Sequence, residues 1–380
     1  MIEPIKVAMI SQGYFPVVGG AERQLASLAP LLLSKGIDVT IYTKRTQNLP
    51  SFEYIEGVPV NRLTIMGSRA ARSFSFTAGT LMRLKRSPPD LIHAHDFLSP
   101  STTALLAKKL FRIPVLVKVV RGGDLGDVQW LLRRAFGRRR LKFLCDNVDK
   151  FICISREIDA ELAQIGVAAT RRAQIPNGVD CQRFQPASAE GRKNIRAENG
   201  LPDGPIVVYA GRLAVEKRVA SLVKIWPSVR ATVPEAILAV VGTGEEERSL
   251  RKLAGDGVLF IGAVDDVSPY LRAADIFVLP SVAEGLSNAL LEAMATGLAC
   301  VATDVGGASD LISNQVSGVL IPPDDTKALF DQLVGLLVDP VTRTPLGRRA
   351  REFVKHNFAL DHVADKLVAL YHETVSRRNR

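Results

Sequence analysis

Short apolar runs recur along the chain, separated by longer amphipathic stretches. In the first half they are Val7–Ile10, Val39–Tyr42, Leu91–His93, Val115–Val117 and Phe151–Ile154; in the second, Ile206–Tyr209, Ile237–Val241, Leu259–Ile261, Ile276–Leu279 and Val319–Ile321. Near-continuous apolar runs of this length predict strands buried on both faces, and their alternation with helical stretches predicts parallel sheets. Between the two series, Pro176 to Pro205 is rich in Pro, Gly, Asn and charge and lacks apolar periodicity. The expected fold is therefore α/β, with two Rossmann-like domains at 1–183 and 205–359 joined by a linker at 184–204.

Length and composition narrow this further. A chain of 380 residues exceeds one ordinary core, and two domains imply a cleft. Apolar residues at 47% and charged residues at 23% are the balance of a globular protein, without low-complexity tracts or a fixed-period repeat. No apolar run approaches the length of a membrane span, and Met1 to Lys6 lead directly into the first strand-like run, so a cytoplasmic protein is expected. Cys145, Cys153, Cys181 and Cys300 are scattered, which indicates buried thiols and neither a zinc site nor a disulfide framework. The excess of 49 basic over 39 acidic residues gives a net charge of +10. It calls for an anionic partner or serves solubility. A nucleoside diphosphate, an anionic membrane surface and nucleic acid all fit. Without zinc-finger spacing or an RNP-type aromatic motif, no nucleic-acid partner is expected.

In open parallel sheets ligands collect beyond the carboxyl ends of the strands, so the segments after each run hold the candidate chemistry. After the first run comes Gly13-Tyr14-Phe15-Pro16-Val17-Val18-Gly19-Gly20-Ala21-Glu22, opening an amphipathic stretch. Gly19 and Gly20 would let backbone amides approach an anion; a plain strand-to-helix turn is the alternative. No GxGxxG stands there, which argues against a dinucleotide oxidoreductase. His93 and His95 alternate onto one side of their strand and could meet a sugar hydroxyl or phosphate, or could divide into one core and one surface histidine. Gly211-Arg212-Leu213-Ala214-Val215-Glu216-Lys217 puts a guanidinium fork and a point charge at a strand–helix junction, a pairing suited to a diphosphate or merely to solvent.

The segment richest in signal runs from Ser281 to Met294. Leu286, Ala289, Leu290, Ala293 and Met294 form a core-facing helical stripe, with Glu284 before the helix and Glu292 off the stripe. Both carboxylates can address one ligand near the helix start, where amides of Gly285, Leu286, Ser287 and Asn288 add partial positive charge. The alternative is a helix with a favourable acidic first turn. From Val128 to Leu144, Trp130, Leu131, Leu132, Phe136, Leu141, Phe143 and Leu144 interleave with Arg133, Arg134, Arg138, Arg139, Arg140 and Lys142. That composition suits an interfacial helix, or a basic face whose apolar residues fill the core.

Together these segments resemble the retaining family 4 glycosyltransferases of GT-B fold, over nearly the whole chain. The family's glycine-rich first loop is similar to Gly19-Gly20-Ala21-Glu22, its phosphate-binding pair to Arg212 and Lys217, and its spaced glutamates to Glu284 and Glu292. Its linker-side pattern stands at Ile175 to Asp180, and Thr303-Asp304-Val305-Gly306-Gly307 is of the family's type. The resemblance implies two domains facing across a cleft, with the segment 360–380 returning as a helix to the N-terminal domain through Ala364, Leu367, Val368 and Tyr371. It implies that Glu284 contacts the donor sugar, Glu292 the ribose, and Arg212 with Lys217 the diphosphate. His95 resembles the histidine near the reacting carbon, with His93 leaving that choice open. Two departures stand out: Arg218 where Gly often follows the Lys, and Arg121-Gly122-Gly123-Asp124 where a His is frequent.

The expected activity is transfer of a glycosyl group, with retention, from a UDP- or GDP-sugar to a saccharide or lipid-linked acceptor. The setting would be cell-surface polysaccharide, lipopolysaccharide or glycolipid synthesis. Neither a cofactor nor a metal is expected, since no DxD-type pair is in place. Peripheral attachment to the inner face of the cell membrane is a candidate localisation. A nucleotide-sugar epimerase and a binding protein without catalysis are the alternatives. The spaced glutamates argue against the epimerase.

Overall fold

The computed structural model describes residues 3–16, 19–46 and 48–378. They form two units, Met1–Asn177 with Asp361–Arg380, and Gly178–Leu360. The first unit contains β1 (Ile5–Ile10), β2 (Ile37–Lys44), β3 (Phe52–Ile55), β4 (Val58–Leu63), β5 (Leu91–Ala94), β6 (Val115–Val119), β7 (Lys150–Cys153) and β8 (Arg172–Gln174). They make one sheet in the order β3-β4-β2-β1-β5-β6-β7-β8. All neighbours are parallel except β3, which pairs antiparallel with β4. The second unit holds β9 (Ile206–Ala210), β10 (Ile237–Val241), β11 (Val258–Gly262), β12 (Ile276–Leu279), β13 (Ala299–Thr303) and β14 (Val319–Ile321), all parallel, in the order β11-β10-β9-β12-β13-β14.

Every apolar run in the sequence lies within or overlaps a strand, and the central strands β1, β5, β6, β9 and β12 are buried over most of their length, as helices on both sheet faces require. Four strands lack such a run, and each has a reason. β3 alternates exposed and half-buried at a sheet edge, and β4 carries Pro59, Asn61 and Arg62. β8 has three residues, none large and apolar, and β13 is built of Ala299, Cys300, Val301, Ala302 and Thr303, small side chains under close packing.

The expected linker at 184–204 is corrected. Residues 189–198 form a helix, Ala189–Glu198, within the second unit. Arg196 anchors it, donating to the Ala273 and Gly204 carbonyls at 2.9 and 2.8 Å and to Asp275 at 3.0 Å. Arg192 donates to the same Asp275 at 2.6 Å, so the helix is attached by arginines and needs no apolar stripe. The chain instead passes from the first unit to the second at Asn177 and Gly178.

The last helix, Leu360–Arg378, belongs with the first unit from Asp361 onward. Ala364, Leu367 and Tyr371 are buried and Val368 partly so. Ion pairs from Lys35 to Asp365 (2.6 Å) and from Lys150 to Glu373 (3.0 Å) flank this stripe. Such partly exposed pairs contribute at most about 1 kcal/mol each. A buried Leu contributes about 2 kcal/mol, so the apolar stripe holds the helix.

Candidate functional site

In a doubly wound sheet the ligand side is the carboxyl end at the point where strand order reverses. In the second unit this point lies between β9 and β12. The loop after β9 carries Arg212 and Lys217; the loop after β12 carries Glu284 to Ser287. Glycines let these loops sit against their neighbours. A Cβ on Gly242 would fall 2.0 Å from the Gly211 carbonyl oxygen, and one on Gly244 would fall 2.2 Å from that of Leu213. The Val282 amide donates to the Glu216 carbonyl at 2.9 Å, joining the two loops.

This framework brings the Lys217 Nζ to 2.7 Å from Glu284 Oε1, with the two side chains only 20% and 10% exposed. Arg212, 60% exposed, reaches Glu216 at 2.5 Å. Behind Glu284, Gly306 has φ +58°, and a Cβ there would lie 2.4 Å from the Glu284 carbonyl oxygen. The Gly307 amide donates to the Gly285 carbonyl at 2.7 Å. The Thr303–Gly307 turn therefore backs the glutamate loop directly. The helix begins at Asn288, two residues later than the stripe starts, because Ser287 caps it by accepting from the Leu290 amide at 3.3 Å. Leu286, Leu290, Ala293 and Met294 are buried, and Glu292 stays off that face.

Sequence reasoning missed the role of Glu216, which holds Arg212 with its carboxylate and the glutamate loop with its carbonyl. Arg212 also lies 3.9 Å from Glu245, so two cations face three carboxylates. An entering anion can compete with the glutamates for Lys217 and Arg212, and a carboxylate released in this way can accept a hydrogen bond from a hydroxyl.

In the first unit the reversal lies between β1 and β5. The glycine-rich loop after β1 leads into the helix Gly20–Ser34; its Val17 and Val18 lie outside the described residues. Glu22 turns back into the mouth of this loop and accepts from the Gly19 amide at 3.1 Å. A Cβ on Gly19 would lie 2.5 Å from the Glu22 carboxylate, and one on Gly13 would lie 2.9 Å from it. The glycines thus make room for a carboxylate of the chain itself, a contact the sequence did not disclose.

His93 within β5 and His95 just after it are both buried, which rules out the division into one core and one surface residue. Their rings stack at 4.0 Å, 29° apart. His93 Nδ1 lies 2.7 Å from the Tyr371 hydroxyl of the last helix, and the Nε2 atoms of both rings have no hydrogen-bond partner in the protein. Burial pushes His93 down to about 3 and His95 well below the usual imidazole value, so both rings are neutral. Beside them Lys118 donates to Asn177 at 2.8 Å, its amine pushed down to about 8 by burial. Asp96 accepts from the Leu98 amide at 2.7 Å, and burial raises its carboxyl to about 7.

The Val128–Leu144 stretch divides instead of forming one helix. It falls into Asp127–Leu132 and Gly137–Asn147. Leu131, Leu141 and Leu144 fill the core, while Phe136 is 75% exposed. Arg140 is held by the Leu98 carbonyl and the Thr102 hydroxyl at 2.7 and 3.0 Å. Among the described residues no helix is long and apolar enough to cross a membrane.

Each of the two parallel sheets thus carries candidate chemistry at its switch point, cations and carboxylates in the second unit and a glycine loop with paired histidines in the first. Residues 18–183 match the model described as Glycosyltransferase Family 4, and residues 204–339 match that of Glycosyl transferases group 1. The chain belongs to the family 4 glycosyltransferases. It is 28% identical to the sulfoquinovosyl transferase of Arabidopsis thaliana, over 92% of this chain and 70% of that one. It is also 28% identical to the D-inositol 3-phosphate glycosyltransferase of Saccharomonospora viridis, over 99% and 95%. Among solved structures, sucrose-phosphate synthase from Thermosynechococcus elongatus superposes with a TM-score of 0.83 at 25% identity, covering 98% of this chain and all of that one. Anabaena HepE, solved with UDP-glucose, superposes at 0.79 with 19% identity, over 98% and 100%. The fold is GT-B.

Proposed function

We propose that the protein is a retaining glycosyltransferase that moves a sugar from a nucleoside diphosphate sugar, UDP- or GDP-linked, to a hydroxyl of a saccharide or lipid-linked acceptor. The setting is glycolipid, lipopolysaccharide or polysaccharide synthesis on the cytoplasmic side of the membrane. The carrying observation is the Lys217–Glu284 pair at the β9/β12 switch point, with Arg212 beside it. Lys217 and Arg212 bind the diphosphate, and Glu284 then accepts a hydrogen bond from a hydroxyl of the donor sugar. Glu292 on its helix takes the ribose, near the amides of Gly285, Leu286, Ser287 and Asn288. When the bond from C1 to the phosphate oxygen breaks, its electron pair stays on the diphosphate, and the two cations stabilise that charge without a divalent ion. The acceptor oxygen bonds C1 from the same face and its proton passes to the departing phosphate oxygen. On the first unit, His95 is the candidate for a group near the reacting carbon, and the Gly19 and Gly20 amides are candidates for an anion.

The names of the relatives support this reading: they transfer sulfoquinovose or act on an inositol phosphate, and HepE was solved with UDP-glucose. Thermal unfolding with UDP-, GDP- and ADP-sugars tests it. One class should stabilise the protein by about 3 kcal/mol at a hundredfold excess over Kd. Slow hydrolysis of that donor should then release the nucleoside diphosphate and a sugar whose first-formed anomer matches the donor. No stabilisation by any donor, or conversion to an epimer without release of diphosphate, would overturn it.

A further inference from the structure

Beyond β6 in the first unit lies a hollow of about 400 Å³ lined by Asp124, Leu125, Trp130, Arg133 and Arg134. It stands where the frequent histidine of the family gives way to Arg121-Gly122-Gly123-Asp124. Its frame is fixed by glycines with no room for a side chain. A Cβ on Gly126 would lie 2.6 Å from the Gly122 backbone carbon, and one on Gly137 would lie 1.7 Å from the Leu131 carbonyl oxygen. The second contact closes the turn that carries Arg133 and Arg134, where the Gly137 amide donates to the Arg134 carbonyl at 2.9 Å. The Arg134 guanidinium lies 3.6 Å from the centre of the Trp130 ring, which orients its fork in advance.

The rim is apolar where a soluble protein has little reason to be. Phe136 has φ +61°, a strained conformation for a bulky residue, yet it is 75% exposed and its ring meets only the Arg139 guanidinium, 5.9 Å from the ring centre, among the ring contacts described. Leu125, on the other side, is 50% exposed. Arg138 and Arg139 are exposed beside Phe136, and no acidic residue stands between Val128 and Leu144. Two arginine forks within the hollow match a phosphate, and Asp124 can accept from a hydroxyl of the same headgroup. Phe136 and Leu125 match the acyl boundary just beyond it.

We propose that this hollow binds the phosphate-bearing headgroup of an anionic lipid in a bilayer, with Phe136 and Leu125 inserted beside it. Its use as the acceptor subsite rests on the glycosyl-transfer reading above; the binding itself does not.

The chain has two tryptophans, and Trp226 is fully buried in the second unit, so Trp130 is an optical reporter of the hollow. Phosphatidylglycerol vesicles should shift the tryptophan emission to the blue and carry the protein in flotation. Phosphatidylcholine vesicles should do neither. Arg133→Glu with Arg134→Glu should raise the lipid concentration for half-binding at least tenfold. Lys252→Glu with Lys327→Glu, the same charge change on the second unit, should move it less than twofold. Phe136→Ser with Leu125→Ser should weaken flotation but keep its salt dependence. An equal response to both lipids, equal effects of the two charge reversals, or saturation of the emission change by soluble glycerol 3-phosphate at the same phosphate concentration would overturn the proposal. If a nucleotide sugar stabilises the protein and the vesicles leave it unchanged, the lipid site fails alone. If the vesicles bind and no nucleotide sugar does, the transferase reading fails and the lipid site stands.

Discussion

Each sheet places its polar chemistry at the same topological address, and the two settings differ in charge and burial. At the β9/β12 reversal the groups are ions, Lys217 against Glu284 and Arg212 against Glu216, partly open to solvent. At the β1/β5 reversal the groups are two stacked neutral imidazoles and a tyrosine, all buried. Ions on these loops can exchange partners with an incoming phosphate, which re-pairs the cations as it enters. Buried imidazoles cannot ionise and instead hold shape, so the second unit is suited to taking up charge and the first to fixing orientation.

The comparison breaks first at Glu284. Glu284→Gln should lower turnover roughly a hundred- to a thousandfold, as loss of a transition-state contact does. Nucleoside diphosphate affinity should stay within a few fold, because Lys217 is released from its carboxylate partner. Near-normal turnover in a steady-state assay would remove Glu284 from the sugar. Arg212→Ala with Lys217→Ala should lose binding and turnover together, with affinity falling at least tenfold for two charge-assisted contacts. If calorimetry shows diphosphate binding intact in the double variant, the phosphate site lies elsewhere.

The second unit was the more legible in sequence for a physical reason. Its site consists of charges and glycines a few residues apart on loops, Arg212 with Lys217 and Glu284 with Gly285, and solvent-facing loops write their chemistry locally. What brings Lys217 to Glu284 is the Val282–Glu216 backbone bond and the space left by Gly306, and neither has a periodic or compositional mark. In the first unit the decisive contact joins His93 to Tyr371, 278 residues apart. The sequence offered Tyr371 as one more apolar residue of a helical stripe, since pattern reading cannot tell a buried hydroxyl with a partner from a ring that only packs. The glycine loop failed in the same way, with Glu22 visible as a residue and its return to Gly19 invisible.

Acid should separate the two settings more gently. His93 and His95 stay neutral when folded, whereas in the unfolded chain they protonate near pH 6.5. Each therefore removes about 1.4 kcal/mol of stability per pH unit as pH falls below 6.5, down to about 3 for His93. Asp96 acts in the opposite sense. Its folded carboxyl is raised to about 7, so it adds stability as pH falls from there toward the unfolded value near 4. His93→Gln should accordingly lessen the fall in stability between pH 6 and 4 by about 1.4 kcal/mol per unit. Tyr371→Phe should cost about 1 to 3 kcal/mol at pH 7, because Nδ1 of a buried ring loses its partner. Urea titrations at several pH values would show both effects, and parallel curves for wild type and His93→Gln would mean that the pair is hydrated and ionises normally.

The smallest effect lies at Arg218, where the family often has glycine. Arg218 has φ +54° immediately before the helix Val219–Thr232, a conformation costing a side-chain-bearing residue about 1 kcal/mol or more. Its compensation is an ion pair with Asp324 at 3.0 Å, but these side chains are 38% and 59% exposed, and such a pair contributes less than about 1 kcal/mol. Arg218→Ala loses the pair and keeps the strain, so it should destabilise the second unit by roughly 0.5 to 1 kcal/mol. Arg218→Gly loses the pair and relieves the strain while adding about 0.5 kcal/mol of unfolded-chain entropy, and should fall within about 0.5 kcal/mol of wild type. Trp226 lies in the helix that Arg218 introduces, so its emission follows the unfolding of this region. A glycine variant no more stable than the alanine variant would show that the turn carries no strain, and that glycine at this position serves the approach of a ligand instead.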